Sequence, residues 1–152
     1  MKNNHEFLQC ITIAASPGVV EHCITNLAIM HHWLNPALRC EPVEDWSTEP
    51  GAQSRFIIAI PIWQPTLIST VIERSPNLIT WQFEGFFRGQ DRWQWHATDA
   101  GTQLTNRFEF TIAQPIVEVG FKYFAAHWTR KDMEAQLQRI RQIAENQSLS
   151  PS

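Results

Sequence analysis

Hydrophobic and polar positions alternate along much of the chain, and this period changes to helical spacing near both ends. Residues 6–15 alternate and therefore predict a first strand, with Phe7, Gln9, Ile11 and Ile13 on one face. The pattern then breaks at the turn-forming string SPG.

Two short helices are predicted after this strand. Ser16 is a suitable N-cap and Pro17 suits the first helical position, so a helix is expected to about residue 26. A second short helix has the sequence LAIMHHWL and should end at Asn35-Pro36, because proline cannot continue a helix.

From residue 38 onward the apolar positions again recur with a period of two. The alternation and the turn residues between segments predict six strands: 38–46, 52–62, 66–74, 78–87, 90–98 and 102–113. Connections this short imply an antiparallel meander. Asp99-Ala100-Gly101 is predicted to be a three-residue hairpin in which Gly101 takes a positive φ.

A long helix is predicted over residues 115–146, starting at Pro115. Its apolar stripe includes Phe121, Phe124 and Trp128. Residues 147–152 are expected to be a frayed tail, which leaves 1–146 as one domain. The element order predicts an α+β fold in which a curved, seven-stranded antiparallel sheet wraps around the terminal helix.

Several strings of this chain resemble the START/Bet v 1-like superfamily, also called helix-grip or SRPBCC proteins. They are AASPGVVEHCITN, HHWLNPAL, VIERSPNLITWQFEG and DAGTQLTNRFEF, and the matching order spans residues 6–146. The subgroup that the chain resembles most is the polyketide cyclase/dehydrase and lipid-transport type. The resemblance implies a hydrophobic cavity between sheet and helix, and it identifies no catalytic residue here.

Large rings are concentrated on one face of the predicted sheet, and the chain has seven Trp and nine Phe against one Tyr. An unfilled void costs ~24 cal/mol per Å³. A pocket of ~300 Å³ would therefore cost ~7 kcal/mol, unless the rings simply fill the core or a ligand occupies it. The residues predicted to contact a ligand are Trp81, Phe83, Trp93, Trp95, Leu104, Asn106, Phe108, Phe110, Phe121, Phe124, Trp128 and His32.

Asn106 and Asp91 are the polar exceptions in the inward rows of the last strands. Asn106 is expected either to bond a neighbouring backbone or Trp N–H or to orient a ligand oxygen. Asp91 lies near a turn, so a hydrated carboxylate with a structural or exposed role is expected. His31 and His32 belong to the second helix, and either could be a gate residue or a general acid/base.

Composition and charge argue against several classes of binding partner. A net charge of -3 without a concentrated basic stretch argues against nucleic acid. The N-terminal sequence has no sustained apolar run, so neither a signal peptide nor a membrane span is expected. Cys10, Cys23 and Cys40 are interpreted as buried reduced thiols of a cytoplasmic protein. No zinc-type spacing is present, so no metal and no cofactor are predicted, and the oligomeric state is left open.

Three functions follow from these observations. The leading hypothesis is binding or transport of a small hydrophobic ligand, lipid- or polyketide-like and possibly aromatic, in an internal cavity. The second is a cyclase or dehydratase for a polyketide-like substrate, with His31, His32, Asp91 and Asn106 as candidate groups. The third is a non-catalytic interaction module whose rings are packed core.

Overall fold

The computed structural model describes the backbone of residues 4–58, 66–85, 88–111 and 115–149, and side chains within these ranges except at 4–5, 115–129 and 148–149. The strands are β1 (Asn4–Ile13), β2 (Leu38–Pro42), β3 (Gln53–Ile58), β4 (Thr66–Ser75), β5 (Leu78–Glu84), β6 (Arg88–Thr98) and β7 (Gly101–Thr111). The helices are α1 (Pro17–Thr25), α2 (Leu27–Trp33) and α3 (Pro115–Leu149).

The strands form one antiparallel sheet in the order β1-β7-β6-β5-β4-β3-β2. From β2 to β7 each strand pairs with its successor, which is the predicted meander. The first strand then pairs with the last, so β1 and β2 are the two edges. This curled sheet, two short helices after β1 and the long C-terminal helix make up the helix-grip fold, as predicted.

Local sequence explains how α1 and α2 begin. The Ser16 Oγ accepts from the Val19 N–H at 3.3 Å, and Pro17 occupies the first turn of α1, as expected for an N-cap. Asn26 ends α1 and also caps α2, because its Oδ1 accepts from the Ile29 N–H at 3.0 Å. The two helices therefore follow one another without a linker.

Some boundaries differ from the predicted ones. β2 ends at Pro42 rather than at residue 46, because Trp46 turns toward α1 and its Nε1 donates to the Thr25 carbonyl at 2.8 Å. The α3 backbone continues to Leu149, so three residues of the expected tail are helical.

The β6–β7 hairpin is also tighter than predicted. Gly101 has the expected positive φ of 132°, but it pairs with Thr98, so the loop contains only Asp99 and Ala100. A Cβ at Gly101 would lie 2.2 Å from the carbonyl oxygen of Ile13. Glycine is thus required both by the backbone angle and by the approach of β1.

The second half of α3 lies along β1. Gln9 Nε2 donates to the Arg130 carbonyl at 3.3 Å, and further along β1 the Ala14 N–H donates to Glu145 Oε2 at 3.0 Å. From this half, Ile140 and Ala144 are fully buried together with core residues of α1. The main core thus lies where α1, α3 and the sheet meet.

Candidate functional site

The strand register settles which side chains share the concave face of the sheet. Trp93 lies opposite Asn106, Trp95 opposite Leu104, and Asp91 opposite Phe108 on the β6–β7 pair. Directly opposed residues of antiparallel strands point to the same side of the sheet. The same register continues through β5, where Ile79 faces Trp93 and Trp81 faces Asp91. The inward rows predicted for these three strands are therefore confirmed.

One end of this face is tightly packed, and we call it the packed end. Leu104 is fully buried and Trp95 is only 1% exposed. The Arg74 guanidinium lies 5.8 Å from the Trp95 ring centroid and bonds Glu21 of α1 at 2.8 Å. These contacts leave Trp95 enclosed by protein.

Trp93 lies between the packed end and the centre of the sheet. Its ring lies 5.5 Å from that of Trp33 on α2, and it is 1% exposed. The indole of Trp33 in turn donates to the Cys23 carbonyl at 2.8 Å. The geometry therefore favours a structural role for Trp93 and Trp95, and their contact with a ligand stays a prediction.

The opposite end of the concave face carries a continuous run of phenylalanine rings. Neighbouring centroids are 5.2–6.3 Å apart, and the run crosses from β1 to β3. Its members, in order, are Phe7, Phe110, Phe108, Phe83 and Phe56, which we call the phenylalanine cluster. Three of them, Phe7, Phe56 and Phe108, are only partly buried. The cluster thus presents apolar surface that the packed end does not.

A polar centre adjoins the phenylalanine cluster on the same face. Asp91 Oδ1 accepts from Asn106 Nδ2 at 2.6 Å, and its Oδ2 accepts from Trp93 Nε1 at 3.0 Å. Asn106, which is 2% exposed, also donates to the Arg92 carbonyl at 3.3 Å. Asn106 therefore bonds a backbone carbonyl, whereas the tryptophan N–H goes to Asp91.

Asp91 has the structural one of its two expected roles, because its carboxylate accepts both of these hydrogen bonds. β6 begins at Arg88, so Asp91 lies inside the strand and is partly buried on the concave face. Burial raises its pKa to about 6, although the hydrogen bonds from Asn106 and Trp93 act in the opposite direction. Asp91 can therefore change its charge near neutral pH.

Two further polar atoms on this face have no hydrogen-bond partner in the described part of the chain. They are the buried Oε1 of Gln9 and the buried Oγ of Ser69. Gln9 lies opposite Asn106, and Ser69 lies opposite Phe83 of the phenylalanine cluster. Buried polar atoms are normally paired, so each marks a position where a bound group could complete the bonding.

The structure describes the side chains of the two predicted histidines but not those of the predicted α3 residues. His31 and His32 are both exposed, and His31 Nε2 accepts from the Cys40 N–H at 3.1 Å, which ties α2 to β2. Nothing places His32 at the polar centre, so its assignment to a ligand stays a prediction. The side chains of Phe121, Phe124 and Trp128 lie outside the described residues.

Two surface pockets are lined by described residues. One, of about 340 Å³, includes Glu6, Gln90 and Glu109, which point away from the concave face. The other, of about 320 Å³, lies between β1 and α3 and includes Gln9 and Leu137. The second is lined by Gln9, which lies opposite Asn106 in the strand register.

All three cysteines are free thiols, and two of them are buried. Cys23 and Cys40 are buried free thiols, and burial raises the pKa of each to about 11, which keeps them protonated. Cys10 is also free but exposed, so its expected burial is wrong; it points outward from edge strand β1. Within the described ranges, no group of three His, Cys, Asp or Glu is arranged to hold a metal ion.

Three polar side chains of this face, those of Gln9, Ser69 and Arg74, were not among the site residues predicted from the sequence. Gln9 had a visible signal, since it interrupts an apolar row of β1, but its unpaired oxygen depends on the position of α3. Ser69 and Arg74 had no clear signal because apolar residues occur on both faces of β4, which leaves its inward row undecided. A register shift between Val71 and Glu73 further changes which β4 side chains point inward.

Comparison with solved structures identifies the class of protein first. A Staphylococcus aureus protein of unknown function matches with a TM-score of 0.76 at 9% identity, over 98% of both chains. TTHA0849 from Thermus thermophilus matches with a TM-score of 0.74 at 15% identity, over 96% of this chain and 99% of its own. Ara h 8.0201 matches with a TM-score of 0.66 at 15% identity, over 98% and 100%. These likenesses establish the Bet v 1-like, helix-grip fold.

The sequence then identifies the family. The family model described as polyketide cyclase/dehydrase and lipid transport matches residues 5–145, so the chain belongs to this family. No curated protein has a matching sequence. In the part of the chain that the structure describes, none of the helices is both long and apolar enough to cross a bilayer.

Proposed function

We propose that this protein binds a small hydrophobic ligand, lipid- or polyketide-like, on the concave face of its sheet at the phenylalanine cluster. The observation that carries the proposal is the partial burial of Phe7, Phe56 and Phe108 on a face whose other end is closed. Apolar surface contributes roughly 25 cal/mol per Å² when it is removed from water, so a ligand covering these rings would gain affinity.

Family membership supports the same proposal, because the family's description includes lipid transport. The polar centre beside the rings would give the ligand a fixed orientation, since one directional contact among apolar ones is the usual composition of such sites. We expect a cytoplasmic location, in keeping with the buried free thiols of Cys23 and Cys40.

The test is a titration of the purified protein with the neutral fluorophore N-phenyl-1-naphthylamine, together with native mass spectrometry of protein purified from its own host. We expect saturable fluorescence enhancement and a co-purified small molecule. A folded protein that neither enhances the fluorophore nor carries any molecule would contradict the proposal, and it would favour the interaction module.

A second candidate function is a cyclase or dehydratase, and the position of Asp91 favours it. This carboxyl group lies beside the proposed ligand surface, and burial raises its pKa to about 6. As a carboxylate it would accept a proton from an enolisable carbon, and as an acid it would return that proton to a departing hydroxyl, which leaves as water. Turnover that is lost in Asp91→Asn while fluorophore binding persists would support this activity.

A further inference from the structure

The open polar atoms nearest the polar centre, those of Asp91 and Gln9, are hydrogen-bond acceptors, whereas the Ser69 hydroxyl farther along the face can both donate and accept. Each oxygen of Asp91 receives one described donor, and a carboxylate oxygen can accept a second. Gln9 Oε1 is a carbonyl-type acceptor that is buried without a partner among described residues. One of the two N–H groups of its Nε2 donates to the Arg130 carbonyl.

The donors next to Asp91 and the Arg74 guanidinium, which could serve an anionic ligand, are already used within the protein, whereas the Ser69 hydroxyl opposite Phe83 remains able to donate. Asn106 Nδ2 is directed to Asp91 and to the Arg92 carbonyl, and Trp93 Nε1 is directed to Asp91. Arg74 is held by Glu21 and by the Leu78 carbonyl. An incoming carboxylate would meet the Asp91 charge at close range, which is unfavourable in a poorly hydrated site.

We propose that the ligand of this site presents a neutral hydrogen-bond donor, such as the hydroxyl of a phenol or alcohol, to Asp91, with Gln9 Oε1 as the alternative acceptor. This inference rests on the proposed function and specifies the chemical class of its ligand. The ring or apolar body would lie on the phenylalanine cluster, and the hydroxyl would point toward the centre of the sheet. Fatty-acid anions are disfavoured by the same arrangement.

A set of three ligands with one ring system tests the inference. 2-Naphthol offers a hydroxyl donor, 2-methoxynaphthalene offers the same oxygen without its hydrogen, and 2-naphthoate offers an anion. Dissociation constants at pH 7.5 can be obtained by isothermal titration calorimetry. A hydrogen bond to a charged group contributes roughly 1.5–3 kcal/mol, so 2-naphthol should bind about tenfold or more tightly than 2-methoxynaphthalene. 2-Naphthoate should bind most weakly.

Substitutions at Asp91 and Gln9 test whether these side chains cause the preference for 2-naphthol. In Asp91→Asn the preference for 2-naphthol should fall to about threefold or less, and 2-naphthoate should bind better because the repelling charge is gone. Gln9→Leu should cause a smaller loss for 2-naphthol alone. Asp99→Asn, in the exposed β6–β7 turn, is the matched control and should retain the full preference.

The outcomes separate the inference from the function on which it rests. If none of the three ligands binds to the folded wild-type protein, the proposed binding function fails. If 2-naphthol and 2-methoxynaphthalene bind equally well, binding stands and the donor requirement is wrong. If 2-naphthoate binds most tightly, the inference is also overturned, and the exposed Arg130, whose guanidinium lies 5.8 Å from the Phe7 ring centroid, becomes the anion partner.

Discussion

The two ends of the concave face are built from similar residues but differ in how completely they are covered. At the packed end, Trp95 and Leu104 are at most 1% exposed, and they lie beneath helices that contribute further fully buried side chains. At the phenylalanine end, Phe7 and Phe108 remain partly exposed although their rings touch neighbours in the same cluster.

The polar side chains follow the same division. Arg74 at the packed end is paired with Glu21 and lies against Trp95, so its charge is used within the fold. Asp91 beside the phenylalanine cluster is bonded only to neutral donors among the described contacts. Buried polar groups at a structural position are normally satisfied. The difference supports the proposal that one end stabilises the fold and the other binds the ligand.

The largest expected effect is the loss of stability when the packed end is opened. Trp95→Ala removes a ring that is 1% exposed, and a buried Trp→Ala change costs about 3–5 kcal/mol. Urea unfolding followed by circular dichroism measures the free energy of unfolding. Phe108→Ala at the other end is the matched variant and should lose less than half as much. Equal losses from the two variants would show that the ends are not different.

The second effect concerns the charge of Asp91 and has a defined sign. Burial raises its pKa to about 6 from 3.8, so between these values the folded state binds a proton that the unfolded state has released. The contribution of Asp91 to stability is therefore complete below about pH 4 and is lost as the pH rises through about 6. From pH 4 to pH 7, wild type should lose up to about 3 kcal/mol relative to Asp91→Asn.

Unfolding at a series of pH values checks this difference. Comparison with Asp91→Asn is needed because burial also raises the pKa of Asp132, which then contributes a similar trend to both proteins. A wild-type curve parallel to that of the variant would mean that Asp91 titrates normally. The polar centre would then lack the desolvation that distinguishes it from a surface carboxylate.

The sequence predicted which side chains share the concave face, but it did not predict which of them are enclosed. Alternation along β5, β6 and β7 correctly placed Trp81, Trp93 and Phe108 on one face, because a pleated strand has a strict period of two. The same period could not show that Trp93 and Trp95 are enclosed. That enclosure depends on Trp33 of α2 and on Arg74, which are distant in sequence.

For the polar centre, the sequence predicted only that two polar residues would lie in otherwise apolar rows of the sheet. Asn106 and Asp91 interrupted apolar rows, but their bond joins two strands and depends on the β6–β7 register. Asp91 was placed near a turn because β6 was predicted to start two residues too late. Gln9 could be recognised as polar in an apolar row, whereas its unpaired oxygen follows from the way α3 crosses β1.

A third prediction concerns ligand binding at the phenylalanine cluster. Phe108→Ala removes a partly exposed ring from the middle of the phenylalanine cluster, and it should weaken binding of N-phenyl-1-naphthylamine about tenfold, equivalent to about 1.4 kcal/mol. Leu8→Ala removes an apolar side chain of 63% exposure from the opposite face of β1 and serves as the control. Equal weakening in both variants would place the fluorophore elsewhere.

The smallest effect tests how the packed end is joined to α1. Arg74→Gln removes the ion pair with Glu21 and the contact with Trp95, and it should lower the free energy of unfolding by about 1 kcal/mol. Arg39→Gln breaks an ion pair with Glu41 whose partners are 61% and 44% exposed, so it should cause no measurable change. Fluorophore binding should be unchanged in both variants, because neither arginine adjoins the phenylalanine cluster. If Arg74→Gln weakened binding without lowering stability, the packed end would itself take part in ligand binding, and the division of this face into two roles would not hold.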